Sequence, residues 1–138
     1  MEALLVAASN VFSPEALLVL VIGTVVGLFV GALPGLSSTM GVALCIPITF
    51  GMDPAIALVL LGAIYCSSVF GGSITAILLR TPGTDASIAT TFDGYPMAQR
   101  GEGTKAIGMA LVASLVGGVF SALVLLFVSV AGALLLDP

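Results

Sequence analysis

Histidine and tryptophan are absent from this chain, and only three of its 138 residues are basic. Without histidine, most metal ligation and general-base chemistry near neutral pH has no carrier. An intramembrane hydrolase of the rhomboid type, which pairs a serine with a histidine, is set aside on the same ground. Three basic residues cannot build the cationic surface that nucleic acid requires. Cysteine is scarce as well: Cys45 and Cys66 stand singly inside apolar runs, a pattern of core packing more than of metal or redox work. The opening MEALLVAASN has no basic n-region and carries Glu2, so it reads poorly as a signal peptide. The net charge of −4 is spread too thinly to point to a partner.

What the chain does have is apolar surface. It is 59% hydrophobic and 7% charged, with a mean hydropathy of +1.30. Soluble domains carry about 25% charged residues, and one this small leaves much of its surface in water. Lipid removes that difficulty, so the sequence is that of an all-α integral membrane protein. At roughly 20 apolar residues per crossing, about three to five transmembrane or re-entrant helices fit. Transporters usually combine two structural repeats. The chain is therefore expected to be one repeat of a two-repeat transporter, or to oligomerise. Its end at Asp137-Pro138, directly after apolar sequence, reads as a truncation.

Punctuation divides the chain. Residues 1–12 are too short to span and suggest an interfacial helix. Ser13-Pro14-Glu15 and Asp53-Pro54 are helix starts, each with a capping oxygen followed by proline at the first helical position. Leu33-Pro34-Gly35 ends the first apolar run. A broken helix pair over 15–33 and 36–50 follows, as two crossings or as one crossing with a re-entrant piece. Residues 54–79 form a helix with a break at 71–73. Residues 80–105 are the only polar loop of any size and hold Arg80, Arg100 and Lys105, which the positive-inside rule places in the cytoplasm. Residues 106–136 are a helix or helix pair.

Two stretches carry the chemistry. GALPGLSST (31–39) and FGGSIT (70–75) each set glycine before clustered hydroxyls at the start of a renewed helix. Backbone breaks in hydrocarbon cost several kcal/mol per unpaired group and persist where protein or a wet cavity meets them. The freed N–H groups, the positive helix end and the hydroxyls suit an anion; freed carbonyls suit a sodium ion. The candidate substrate- and ion-binding residues are Pro34, Gly35, Ser37, Ser38, Thr39, Gly71, Gly72, Ser73 and Thr75. No catalytic residue and no structural metal ligand is expected. The spacing of Gly23, Gly27, Gly31 and Gly35 reads mainly as helix packing, and mid-helix hydroxyls can bond back to the preceding turn. TPGTDAS and DGYP are turn chemistry, and their Asp85 and Asp93 are weak proton carriers on this reading.

The strings GTVVGLFVGALPGLSSTMGVALCIPITF, YCSSVFGGSITAILLRTPGT and TTFDGYPMAQRGEGTKAIGMALVASLVGG occur in that order. Together they resemble the large membrane subunit of tripartite tricarboxylate transporters, the TctA family, over roughly Glu15 to Gly118. The resemblance implies a multi-pass permease of the bacterial inner membrane, coupled to sodium ions or protons and without an organic cofactor. It implies a small membrane subunit and a periplasmic solute-binding protein as partners, organic carboxylates such as citrate as substrate, and a second, related half. Two positions depart from the family's pattern: Arg80 stands where asparagine is usual, and Phe70 precedes the glycines.

Overall fold

A computed structural model describes residues 11–136, and every regular element within them is helical. The expected interfacial helix over 1–12 lies almost wholly outside the described residues. Helix α1 spans Pro14–Ala32, α2 Ser38–Thr49, α3 Pro54–Leu79, α4 Thr90–Gln99 and α5 Gly103–Leu136, with a 3-10 turn at Asp85–Ser87 before α4. Three of them, α1, α3 and α5, are long and apolar enough to cross a membrane.

The two helix starts fold as their residues dictate. Ser13 Oγ accepts from the Ala16 N–H at 3.2 Å, and Asp53 Oδ1 accepts from Ala55 N–H at 2.9 Å. In each case proline follows at the first position, where its missing N–H has no intrahelical role.

Helices α1 and α3 pack through glycine. A Cβ on Gly23 would meet Ala63 Cβ at 3.0 Å, one on Gly27 would lie 2.5 Å from the Ile64 carbonyl, and one on Gly31 would overlap the Ser68 carbonyl. These pairings advance together along both helices, so α1 and α3 run parallel from starts at the same level. The small-residue stripe therefore brings two backbones into contact. Ser67, facing that seam, satisfies itself by donating to Ala63 O at 2.5 Å.

Between these parallel helices the chain must return, and α2 makes the return. With 12 residues it extends only about 18 Å, too short to cross. Its first residues lie beside Tyr65 and Val69, which flank the midpoint of α3. Residues 15–50 thus form one helix of spanning length and a half-length helix whose start lies beside the middle of α3.

Two expectations are corrected. Helix α3 runs unbroken through Gly71, Gly72 and Ser73, because glycine retains its N–H and costs only about 1 kcal/mol in a helix. Close packing repays that cost: a Cβ on Gly71 would come 2.6 Å from Leu28 O of α1. Residues 80–105 are not a simple loop either. They contain the 3-10 turn and the ten residues of α4, and Gly94 lets α4 press onto α3, where a Cβ would lie 2.6 Å from Ile77 Cγ1. Helix α5 is a single element, and Leu111 to Val130 is exposed throughout.

Candidate functional site

The Pro34-Gly35 turn prepares the first half of the site. Gly35 has φ +95°, the left-handed region that glycine adopts without strain. The turn hands the chain to Ser37, whose Oγ caps α2 by accepting from the Met40 N–H at 3.2 Å. The N–H groups of Ser38 and Thr39 make no hydrogen bond among the described residues. They are the open donors that every helix start presents, here placed halfway along a membrane-spanning neighbour.

The second half comes from the polar segment, which folds back into the bundle. Arg80, at φ 57°, ends α3 in the left-handed region and turns the chain around. Gly83 then reaches Gly72, eight residues or about 12 Å back from Arg80 along α3, where its N–H donates to the Gly72 carbonyl at 3.4 Å. Side chains do not fit at this crossing. A Cβ on Gly72 would lie 2.6 Å from Thr84 Oγ1, and one on Gly83 would overlap Gly31 O and come within 2.9 Å of Gly72 Cα. The dip is held from within as well. The Ser87 hydroxyl donates to Thr84 O at 2.7 Å, and the Thr84 N–H donates to Ser87 Oγ at 3.2 Å. Both residues are buried.

Two open concavities result, of about 190 and 210 Å³. They share Ser37, Thr84 and Asp85. One adds Gly35, Pro82, Gly83 and Ile88; the other adds Ser38, Thr39, Tyr65, Val69 and Ala86. Each is smaller than the roughly 300 Å³ at which small-molecule pockets begin. Between apolar patches of Pro82 and Ile88 in one and Val69 and Ala86 in the other, their walls carry hydroxyls, free N–H groups and one charged side chain, the Asp85 carboxylate. Chemically the arrangement offers donors to an oxyanion and one carboxylate to a cation.

The structure thus brings Gly35, Ser37, Ser38 and Thr39 together in one place. Pro34 lies exposed in the turn beside them and lines neither concavity. Gly71, Gly72, Ser73 and Thr75 lie on α3 and line neither concavity; Gly72 and Thr75 meet the Gly83-Thr84 segment, whereas Gly71 faces α1. Thr75 donates to Gly72 O at 3.1 Å and Ser73 donates to Val69 O at 3.5 Å, so both hydroxyls bond within their own helix. Sequence reasoning missed Tyr65, Thr84 and Asp85. The available signal was the glycine in TPGTDAS paired with the Gly71-Gly72 doublet, small residues on two segments that can touch.

The comparisons with known proteins agree with a membrane transporter. The model of the tripartite tricarboxylate transporter TctA family matches residues 17–136. A curated relative, an uncharacterized 52.8 kDa protein in the TAR-I ttuC' 3' region of Agrobacterium vitis, is 39% identical over 104 residues, covering 75% of this chain. The chain spans 21% of that relative's length. No solved structure matches the chain significantly. Since the family match covers nearly all of the described helices, the chain belongs to the tripartite tricarboxylate transporter TctA family of membrane transport proteins.

Proposed function

We propose that this chain is the permease segment of a binding-protein-dependent, cation-coupled importer of tricarboxylates or related organic carboxylates. In this reading it works in the bacterial inner membrane with a small membrane subunit and a periplasmic solute-binding protein. The observation that carries the reading is the α2 N-terminus at the middle of α3, with Ser38 and Thr39 offering N–H groups and Asp85 lining the same concavity. Half-helix ends that meet an anion near the bilayer midplane are a recurrent device of secondary transporters.

Charge balance supplies the mechanism. A substrate carboxylate takes donors from Ser38, Thr39 and the surrounding hydroxyls, yet it meets the negative Asp85 in the same space. A sodium ion or proton bound at Asp85 removes that repulsion, and a sodium ion adds its own attraction. Cation and substrate then favour each other's binding, which is the linkage a symporter needs. The described residues form one wall only, and the remaining wall falls to further polypeptide of a longer protein.

Uptake of a labelled carboxylate by cells carrying the complete transporter tests the reading. Ser38→Pro, which removes a donor N–H at a first helical position that tolerates proline, and Asp85→Asn should each reduce uptake about tenfold or more, the loss expected when a hydrogen bond to a charged group is removed. Asp93→Asn, outside the concavities, should leave it unchanged. Unaltered uptake in both site variants would favour the alternative, a membrane scaffold whose glycine seam serves helix packing alone.

A further inference from the structure

A further concavity, of about 330 Å³, opens at the end of α3 and shares Pro82 alone with the site above. It is lined by Arg80, Pro82, Thr91, Phe92, Tyr95, Pro96 and Gln99. We infer that it is a binding site for the phosphate of an anionic phospholipid, with the Arg80 guanidinium as its principal donor.

Position argues for a lipid. Helix α3 has 26 residues and extends about 39 Å, longer than the roughly 30 Å hydrocarbon core. Its last residues therefore reach headgroup depth, and Arg80 follows immediately. Phe92, on the wall of the concavity, is 74% exposed, and Leu79, immediately before Arg80, is 65% exposed. An apolar pair next to an arginine at this depth matches the boundary between acyl chain and phosphate.

The chemistry argues for an oxyanion. The guanidinium lies over the Tyr95 ring, 5.6 Å from its centroid, which fixes a long side chain at little desolvation cost. Gln99 Nε2 donates to Tyr95 Oη at 3.0 Å, which leaves the phenol proton free to point outward. No carboxylate lines the concavity. The salt bridge found among the described residues joins Lys105 to Glu102 at 3.9 Å and leaves Arg80 uncommitted. Arg80 is moreover the one non-glycine residue described with positive φ, a disfavoured conformation that aims its side chain at α4, over Tyr95. A phosphodiester would accept the guanidinium fork, the Tyr95 hydroxyl and the second Gln99 N–H.

The test compares lipids retained by the protein in nanodiscs of phosphatidylcholine mixed with phosphatidylglycerol, read by native mass spectrometry. Wild type should enrich phosphatidylglycerol about fivefold, the effect of one basic residue at an anionic surface. Arg80→Gln should abolish most of that enrichment. Arg80→Gly, which suits the left-handed backbone, should do the same in a fold relieved of strain. Arg100→Gln and Lys105→Gln should retain it. Enrichment unchanged in both Arg80 variants, or lost equally in all four, overturns the inference. Displacement of the lipid by millimolar inorganic phosphate would also overturn it, in favour of a soluble oxyanion.

Discussion

The Gly83 N–H donates to the Gly72 carbonyl at 3.4 Å, and neither glycine has room for a side chain. This contact draws TPGTDAS into the bundle and sets Thr84 and Asp85 opposite the α2 N-terminus. Gly83→Ala should therefore destabilise the protein by about 1–3 kcal/mol, the usual consequence of overpacking. Gly108→Ala, in open space on α5, should have no such effect. Thermal unfolding in detergent would measure the difference.

Ser87 supports the same dip from the other side. Replacing it with alanine leaves the buried Thr84 N–H without its acceptor, at a cost of about 1–3 kcal/mol. Ser87→Ala should lower the unfolding temperature and, by loosening Asp85, reduce carboxylate uptake. An unchanged unfolding temperature would show that the Thr84–Ser87 pair does not hold the dip.

Gly35 tests backbone geometry apart from packing. Its φ of +95° lies in the left-handed region while nothing stands within 4 Å of a Cβ there, so strain alone opposes a side chain. Gly35→Ala should cost about 1–2 kcal/mol, and Gly35→Asn less, because asparagine tolerates that region. Equal stability of both variants with wild type, in the same unfolding assay, would contradict the turn.

Much of the fold was legible because it rests on local rules. Ser13-Pro14 and Asp53-Pro54 start helices for reasons contained in a few residues, and apolar length alone marks α1, α3 and α5. The Pro34-Gly35 turn was equally local. What sequence could not show was the partner of each small residue. Gly71-Gly72 resembles a helix break until the TPGTDAS segment is seen lying on it, after which the doublet is a landing surface. Asp85 was read as turn chemistry for the same reason. Its depth depends on a reversal at Arg80 and a contact eight residues back along α3, and no periodicity records that. The glycine stripe on α1 was readable as packing, though its parallel register with α3 was not.

The central claim, that Ser38, Thr39 and Asp85 border a wet carboxylate site at mid-span, is tested most directly by thiol accessibility. Thr39→Cys would be introduced into the complete transporter after Cys45 and Cys66 are replaced by alanine. A membrane-impermeant maleimide would be applied with and without a saturating carboxylate substrate and sodium. Labelling is expected in the free protein, with strong slowing when substrate and sodium are both present. Failure to label, or labelling at the same rate with substrate bound, would contradict the claim.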